Sequence, residues 1–296
     1  MATYLTYLRA RQYAASTVSN TMGTLKRFCE RLPAPRRARI VDNFAQLTAD
    51  DVEAWLQVAH QEGLAPSTIN RFLTVLHHFC AFLYAHGQLA QQPIHWRRHH
   101  VMVPHPLPKP MAEADLVRFF QVIDALEDRT MFLLMLRCGL RVGEVRALTW
   151  PVIDMEQGAL RINTSKGQVD RVVYLSPDVA QALRQWQRLQ PPSATYVFPS
   201  ALRPERPVTV RTIQRHMRHY LRVAQIATAY SPHCLRHTFA TQLLNAGASL
   251  EVVKELMGHR SIQMTLRYTQ LYDTTKRQQY DRAMAQLAPR QALLGR

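Results

Sequence analysis

The feature that most constrains this chain is a run of prolines at every second position, about a third of the way along it. These residues are Pro104, Pro106, Pro108 and Pro110. Proline has no backbone N–H and disfavours helix in the residue before it, so this run predicts an extended segment. We therefore predict two separately folded domains joined by a basic linker, with the boundaries 1–98, 99–110 and 111–296.

The composition agrees with two globular domains and indicates a polyanionic partner. At roughly 150 residues per domain, 296 residues predict two domains, and 47% hydrophobic residues exclude a disordered chain. The formal net charge is +16 and the isoelectric point is near 10.3. So large an excess predicts binding to nucleic acid first and to an anionic membrane surface second. A solvated basic surface remains open.

The cysteines and the apolar runs favour a cytoplasmic protein. Four widely spaced cysteines stand among apolar residues, as expected of free thiols in a reducing compartment. The start, "MATYLTYLRARQ", lacks the apolar stretch of a signal peptide, and the densest apolar run, "MFLLML", is too short to cross a bilayer. We expect no membrane partner.

The first ninety residues predict a helical bundle. Thr48 and Asp51 form a plausible capping pair, and "INRFLTVLHHFCAFL" carries apolar residues at helical spacing. Arg71 lies beside that apolar stripe, and Arg97 and Arg98 lie just before the basic linker. These three arginines are candidate contacts to a phosphate backbone, and a solvated surface is the alternative.

The second domain is predicted to be mainly helical with a small β-sheet. "ALRIN" and "DRVVYL" have strand character and are joined by the polar "TSKGQV", while "TYVFP" is a candidate third strand. Further on, Arg211, Arg215 and Arg218 recur at helical spacing and share one face with Arg222. That face is either solvated or turned towards DNA.

The segment "SPHCLRHTFAT" predicts a helix start that attracts a phosphate. Ser231 suits the N-cap and Pro232 the first helical position, which puts His233 and Arg236 in the first turn. A zinc site is the alternative, but the zinc-protease motif needs Glu directly after its first His, where this chain has Cys234. We predict no metal.

Two further segments carry candidate residues. In "RCGLRVGEVRALTW", Arg141 opens a helix and Glu144 is placed three residues later to orient it. Lys166 stands at the predicted hairpin tip, and "GHRSIQMTLRYTQLYDTT" contains His259 and two tyrosines, Tyr268 and Tyr272. Each segment is weak evidence by itself.

Together, the order and spacing of these residues resemble the tyrosine recombinase (phage integrase) family. Arg141 and Lys166 are 25 residues apart, and Lys166 and His233 are 67 apart. Arg236 precedes His259 by 23 residues, and Tyr268 follows His259 by 9. The helical N-terminal part looks like the family's core-binding domain, so the resemblance spans nearly the whole chain.

The resemblance implies a fold and a reaction. The fold would be mainly α with a small β-sheet, an N-terminal helical core-binding domain plus a C-terminal mixed α/β catalytic domain, closed as a C-shaped clamp around DNA. The reaction would be site-specific recombination through a 3′-phosphotyrosyl intermediate and a Holliday junction. It needs no cofactor, because the phosphotyrosyl bond conserves the energy of the broken phosphodiester.

The resemblance also implies a role for each matching residue. Tyr268 matches the nucleophile, and Arg141 and Arg236 match the arginines that clamp the phosphate. His259 would donate a further hydrogen bond, and His233 would assist proton transfer at the tyrosine.

Two more matches complete the implied site. Lys166 resembles the general acid that protonates the leaving 5′-oxygen, and Glu144 resembles an acid that positions the clamp. The hairpin departs from the family, which more often has "GKG" and a proline near the place of Tyr174. Arg171 and Lys254 are therefore alternative candidates for the basic residue, although neither stands at the predicted tip.

The family's assembly implies the partners. We expect double-stranded DNA with short inverted repeats, a homo-tetramer on two DNA sites, an accessory protein or paired recombinase, and a nucleoid-associated location. The segment from Lys276 would dock on a neighbouring protomer or on its own domain. The rival functions are a type IB topoisomerase, a non-catalytic DNA-binding protein of the same fold and a basic zinc-binding regulator.

Overall fold

The computed structural model describes residues 2–103, 109–162, 170–259, 261 and 264–266. The expectations for Lys166, Tyr268, Tyr272 and the segment from Lys276 lie outside these ranges. The chain forms two compact units, 1–105 and 106–296. The predicted fold class, mainly helical with a small sheet, is confirmed.

The described part of the N-terminal unit consists of helices. They are α1 Ala2–Ala10, α2 Ala15–Glu30, α3 Ala34–Asp42, a 3₁₀ turn at Phe44–Gln46, α4 Ala49–Gln61, α5 Pro66–Ala85 and α6 Trp96–His99. The core is aromatic: Trp55 is fully buried, with its ring centroid 5.3 Å from Phe28 and 5.2 Å from Phe72. The predicted apolar stripe of α5 faces this core.

The start of α4 is fixed by a buried carboxylate. Asp51 accepts the backbone N–H of Thr48 at 2.9 Å, and Thr48 Oγ1 accepts the Asp51 N–H at 3.3 Å, which completes the predicted capping box. Asp51 is fully buried and also binds Arg36 at 2.8 Å and Arg39 at 2.7 Å, both from α3. The cap thus also fastens α3 to α4.

The N-terminal unit extends past residue 98. Val101 donates its N–H to Asn70 Oδ1 at 3.0 Å, and its carbonyl accepts from Asn70 Nδ2 at 2.7 Å. His99 is buried, with its Nδ1 accepting the His95 N–H at 3.1 Å. These contacts hold the segment after α6 against α5.

The C-terminal unit is built around a buried helix. Its elements are α7 Glu113–Gln121, α8 Leu126–Arg137, α9 Val142–Ala147, a 3₁₀ turn at Trp150–Val152, β1 Ile153–Asp154, β2 Ala159–Ile162, β3 Arg171–Tyr174, α10 Pro177–Arg188, α11 Val210–Val223, α12 Pro232–Asn245 and α13 Leu250–Met257. Helix α8 packs against α10 and α12, and its residues from Thr130 to Leu136 are all buried. Among the described residues, no helix has the length and apolar character that a membrane span requires.

The sheet has the antiparallel order β1–β2–β3. The predicted pair of strands is confirmed, with Leu160 opposite Val173 and Ile162 opposite Arg171. The third strand predicted at "TYVFP" is wrong: that segment forms only isolated bridges, of which one joins Thr149 to Tyr196. The third strand is β1 instead.

Candidate active site

Helix α9 begins at Arg141 because the preceding chain turns sharply there. Gly139 has φ +64°, and a Cβ at this position would lie 2.4 Å from the Phe239 ring, so only glycine fits. Arg141 donates its backbone N–H to Glu144 Oε2 at 2.7 Å and its Nη1 to Glu144 Oε1 at 2.9 Å. The predicted orientation of Arg141 by Glu144 is therefore present.

Arg236 lies at the centre of the site, on the first turn of α12. Ser231 occupies the N-cap and Pro232 the first position, as the sequence predicts. The Arg236 side chain is buried and donates to the carbonyl oxygens of Gly139 and Met257. These two carbonyl acceptors fix the position of the guanidinium.

Glu144 is shared between two elements. Besides Arg141, it accepts from Arg171 Nη1 at 2.9 Å and Nη2 at 2.7 Å, and Arg236 Nη1 lies 4.0 Å from its Oε2. Burial alone would raise the pKa of Glu144, but the hydrogen bonds and charge of Arg171, followed by those of Arg141, lower it to about 2. Three guanidinium groups thus surround one ionised carboxylate, and the cluster is net positive.

His259 follows a left-handed glycine at the end of α13. Gly258 has φ +58° and ψ +47°, and its carbonyl accepts from Arg141 Nη2 at 3.2 Å. The His259 ring is buried, with Nδ1 2.9 Å from Thr265 Oγ1. Burial, followed by the charges of Arg236 and Arg141, lowers the pKa of His259 to about 4, so this ring is neutral at pH 7.

His233 stands on the outer side of the same helix turn as Arg236 and is exposed. Its pKa is lowered, first by desolvation of the ring and then by the positive charges of Arg236 and Arg141. The Arg236, Arg141 and His259 positions predicted from the sequence therefore converge, and His233 lies within their electrostatic field.

Comparison with known proteins identifies this constellation. The profile of the Phage integrase family matches residues 109–275, and that of the Phage integrase N-terminal SAM-like domain matches residues 1–87. The chain belongs to the phage integrase family.

Its relatives specify the class of enzyme. Tyrosine recombinase XerC of Xanthomonas campestris is 30% identical over 90% of this chain and 83% of its own length. Tyrosine recombinase XerD of Pseudomonas putida is 36% identical over 70% of this chain and 72% of its own. The protein is accordingly a site-specific tyrosine recombinase, and these relatives favour neither a type IB topoisomerase nor a non-catalytic DNA-binding protein.

A solved structure shows the same fold. The lambda integrase tetramer bound to a Holliday junction is 19% identical, with a TM-score of 0.70 over 90% of this chain and 75% of that one. The family's arrangement of a helical N-terminal unit and a mixed C-terminal unit is thus present here.

Sequence reasoning offers Arg171 only as an alternative to Lys166 and does not predict its partners. Its side chain is buried and binds Glu144 rather than projecting from the sheet. One signal was available: Arg171 and Val173 alternate along β3 and share its inward face, so an arginine there needs a buried acceptor. The sequence could not name that acceptor.

The candidate DNA contacts divide into two groups. Arg71 and Arg97 in the N-terminal unit are exposed, as are Arg211, Arg215 and Arg218 on the outer face of α11. Arg98 differs, because it pairs with Glu53 and with Asp50 at 3.2 Å. Its charge is already balanced inside its own unit.

His233 and His237 are the pair that the alternative zinc site would use. Within the described ranges, no three His, Cys, Asp or Glu side chains are close enough together to hold a metal ion. Cys234 turns its Sγ to the backbone N–H of Ser231 at 3.4 Å, so it serves the helix start.

Proposed function

We propose that this recombinase cuts duplex DNA by attack of the Tyr268 oxygen on a phosphodiester. The attack forms a 3′-phosphotyrosyl bond and releases the 5′-hydroxyl. The 5′-hydroxyl of the partner duplex then attacks the phosphotyrosine, which forms a new phosphodiester and frees the tyrosine, and two such rounds of exchange proceed through a Holliday junction. The observation that carries this proposal is the convergence of Arg141, Arg236 and His259 in one net-positive cluster.

The cluster suits a phosphate in its transition state. Attack by an oxygen places additional negative charge on the non-bridging oxygens, and cations held in place beforehand stabilise that charge. Arg141 is held by Glu144 and the Gly258 carbonyl, and Arg236 by two carbonyls, so neither needs to reorganise. Guanidinium groups remain charged and can bind two phosphate oxygens at once.

The two neutral histidines, His259 and His233, have different roles in the proposed reaction. When the Thr265 hydroxyl donates to His259 Nδ1, the ring proton lies on Nε2, which can donate to a phosphate oxygen. His233 is kept neutral by its lowered pKa, so it can accept the proton of the tyrosine.

Lys166 is proposed to protonate the leaving 5′-oxygen. Like Tyr268, it lies outside the described residues, and its assignment depends on its position in the family's order. A lysine ammonium can protonate an oxygen leaving group when it lies within hydrogen-bond reach of that oxygen.

The assembly proposed is a homo-tetramer on two duplexes with short inverted repeats, acting in the cytoplasm at the nucleoid, with an accessory protein or a paired recombinase as a further partner. The lambda integrase tetramer, solved on a Holliday junction, supports this arrangement by analogy of fold. The exposed arginines Arg71, Arg97, Arg211, Arg215 and Arg218 would bind phosphates. Arg98 would bind a phosphate only after its ion pairs with Asp50 and Glu53 had broken.

The cutting step is tested with a nicked suicide duplex that traps the covalent complex, followed on a denaturing gel. Wild type should form the adduct, and Tyr268→Phe should form none while binding the duplex normally. Tyr272→Phe, four residues further along the sequence, is the matched control and should form the adduct. An adduct with Tyr268→Phe, or its loss only with Tyr272→Phe, would show that the nucleophile is assigned wrongly.

The DNA contacts are tested through salt dependence. Arg215→Gln should reduce the slope of log K against log [salt] by about 1, the value for one phosphate contact. Arg118→Gln is the control, because Arg118 is also exposed on a helix but is paired with Asp115 at 2.5 Å. Equal slopes for Arg215→Gln and wild type would remove α11 from the DNA interface.

A further inference from the structure

Arg171 is one of the two buried arginines of the cluster, together with Arg236, and it binds three backbone segments together. Its side chain is 5% exposed, equal to that of Arg236 and far below the 24% of Arg141. It starts β3, five residues after Lys166 in the sequence. A guanidinium buried this deeply must have all its strong contacts within the protein.

Its first contact is with Glu144. Nη1 and Nη2 donate to the two different carboxylate oxygens, at 2.9 and 2.7 Å. This parallel pair is the geometry in which arginine binds a carboxylate most strongly. Arg141, by comparison, reaches Glu144 with one guanidinium nitrogen and its backbone N–H.

Its second contact is with the chain that leads into His259. Nε donates to the Leu256 carbonyl at 2.8 Å. A Cβ on Gly258 would lie 3.0 Å from Nη1 and 3.1 Å from Cδ of Arg171. The backbone of Gly258 therefore rests directly on the Arg171 side chain, and the Gly258 carbonyl in turn binds Arg141.

The charge of Arg171 affects how strongly Glu144 attracts Arg141. A carboxylate that orients Arg141 also attracts it and opposes its attraction for phosphate. With Arg171 absent, the cations left within 4.0 Å of Glu144 among the described residues would be Arg141 and Arg236 themselves. Arg171 adds a third positive charge beside Glu144. Because Arg171 does not itself contact the phosphate, it can balance the carboxylate in place of Arg141 and Arg236.

We propose that Arg171 is a positioning residue of the recombinase: it neutralises Glu144, so that Glu144 can hold Arg141 without weakening the phosphate clamp, and it supports Gly258 ahead of His259. This inference rests on the proposed phosphotyrosyl reaction. It assigns Arg171 to the clamp, not to the general-acid position.

The test compares single-turnover adduct formation on the suicide duplex with equilibrium binding of the same DNA. Arg171→Gln should slow adduct formation between roughly 10- and 100-fold, the usual cost of removing a residue that orients a functional ligand. DNA affinity should change by less than about 2-fold, because Arg171 is buried and contacts no solvent-facing surface. An unchanged rate overturns the proposal.

The decisive variant is the double substitution Arg171→Gln/Glu144→Gln. Removing the uncompensated carboxylate should restore part of the rate, making the double variant at least about 5-fold faster than Arg171→Gln alone, a coupling expected only of groups that act together. If Arg171 only stabilises the fold, the double variant should be as slow as the single one or slower, and that result would overturn the proposal.

A conservative variant covers a failure to fold. Arg171→Lys keeps the charge and loses the two parallel bonds, so it should fold and should be faster than Arg171→Gln, or than background if Arg171→Gln is insoluble. A folded Arg171→Lys with the wild-type rate would overturn the need for the parallel pair. Wild type is measured alongside the variants. If wild type forms no adduct, the proposed reaction fails. If wild type forms the adduct normally and the Arg171 variants are as fast, only this inference fails.

Discussion

Each of the two units has a carboxylate at the third position of a helix, fully buried for Asp51 and 12% exposed for Glu144, and the same local contact is used for different purposes. Asp51 accepts the N–H of Thr48 at 2.9 Å, and Glu144 accepts the N–H of Arg141 at 2.7 Å. Both carboxylates also bind arginines. In each case the pairing satisfies a helix start that would otherwise leave a donor without an acceptor.

The clusters differ in where their arginines originate. Arg36 and Arg39 come from α3, shortly before Asp51, and both are 39% exposed. The arginines around Glu144 come from α9, β3 and α12, and Arg171 and Arg236 are buried. A carboxylate bound by neighbouring, half-exposed arginines joins two helices. One surrounded by buried arginines from distant elements organises positive charge for a ligand.

The largest effect should come from removing each carboxylate. Asp51→Ala and Glu144→Ala should both lower the free energy of unfolding, by about 3 kcal/mol, because each leaves arginines without a partner. Only Glu144→Ala should also slow adduct formation per folded molecule, by roughly 100-fold. Urea unfolding and the suicide-duplex assay measure the two effects. Equal rates of adduct formation for Asp51→Ala and Glu144→Ala would show that the two clusters do not differ in function.

A smaller effect should appear on acidification. The pKa of His259 is lowered to about 4 from its ordinary 6.5, so the folded state resists protonation that the unfolded chain accepts. Its stabilising contribution is complete above pH 6.5 and is lost as the pH falls towards 4. His259→Gln should therefore lose about 2 kcal/mol less stability than wild type between pH 7 and pH 5.

The control for this prediction is His60→Gln, on the exposed surface of α4. It should show the wild-type loss of unfolding free energy between the two pH values, measured by urea unfolding. If His259→Gln and His60→Gln behave alike, burial of the His259 ring does not contribute to acid sensitivity.

The smallest effect distinguishes two glycines with positive φ. Gly63 follows the end of α4 and has φ +70°, and nothing lies within 4 Å of a Cβ built there. Gly63→Ala should cost about 1 kcal/mol, the strain of the left-handed backbone alone. Gly258→Ala should cost at least as much and should also slow adduct formation several-fold, because the methyl group displaces Arg171. If Gly258→Ala forms the adduct at the wild-type rate, the contact between Arg171 and Gly258 does not help to position His259.

Local rules predicted the helix starts and the paired strands. Thr48 with Asp51 and Ser231 with Pro232 are short-range signals, and both lie at helix starts in the structure. The resemblance supplied the order of Arg141, Arg236 and His259, which the structure brings together.

The partners of Arg171 could not be predicted, since they depend on tertiary packing. Glu144 is 27 residues away and Leu256 is 85 away. The charge of Arg98 predicts a phosphate contact, yet its acceptors Asp50 and Glu53 lie nearly 50 residues before it. Charge and spacing indicate that an arginine needs an anion but do not tell which anion the fold supplies.

The grip of Asn70 on Val101 also has a consequence for how the recombinase holds its substrate. Val101 is fixed to the N-terminal unit, and Met111 is fixed to the C-terminal unit by an N–H···Oγ1 bond of 2.8 Å to Thr238. Ten peptide steps separate them, a tether of at most about 35 Å. If both units bind the same duplex as proposed, so short a tether would give the second unit an effective concentration of the order of millimolar once the first has bound, and the whole chain would bind DNA more tightly than either unit alone.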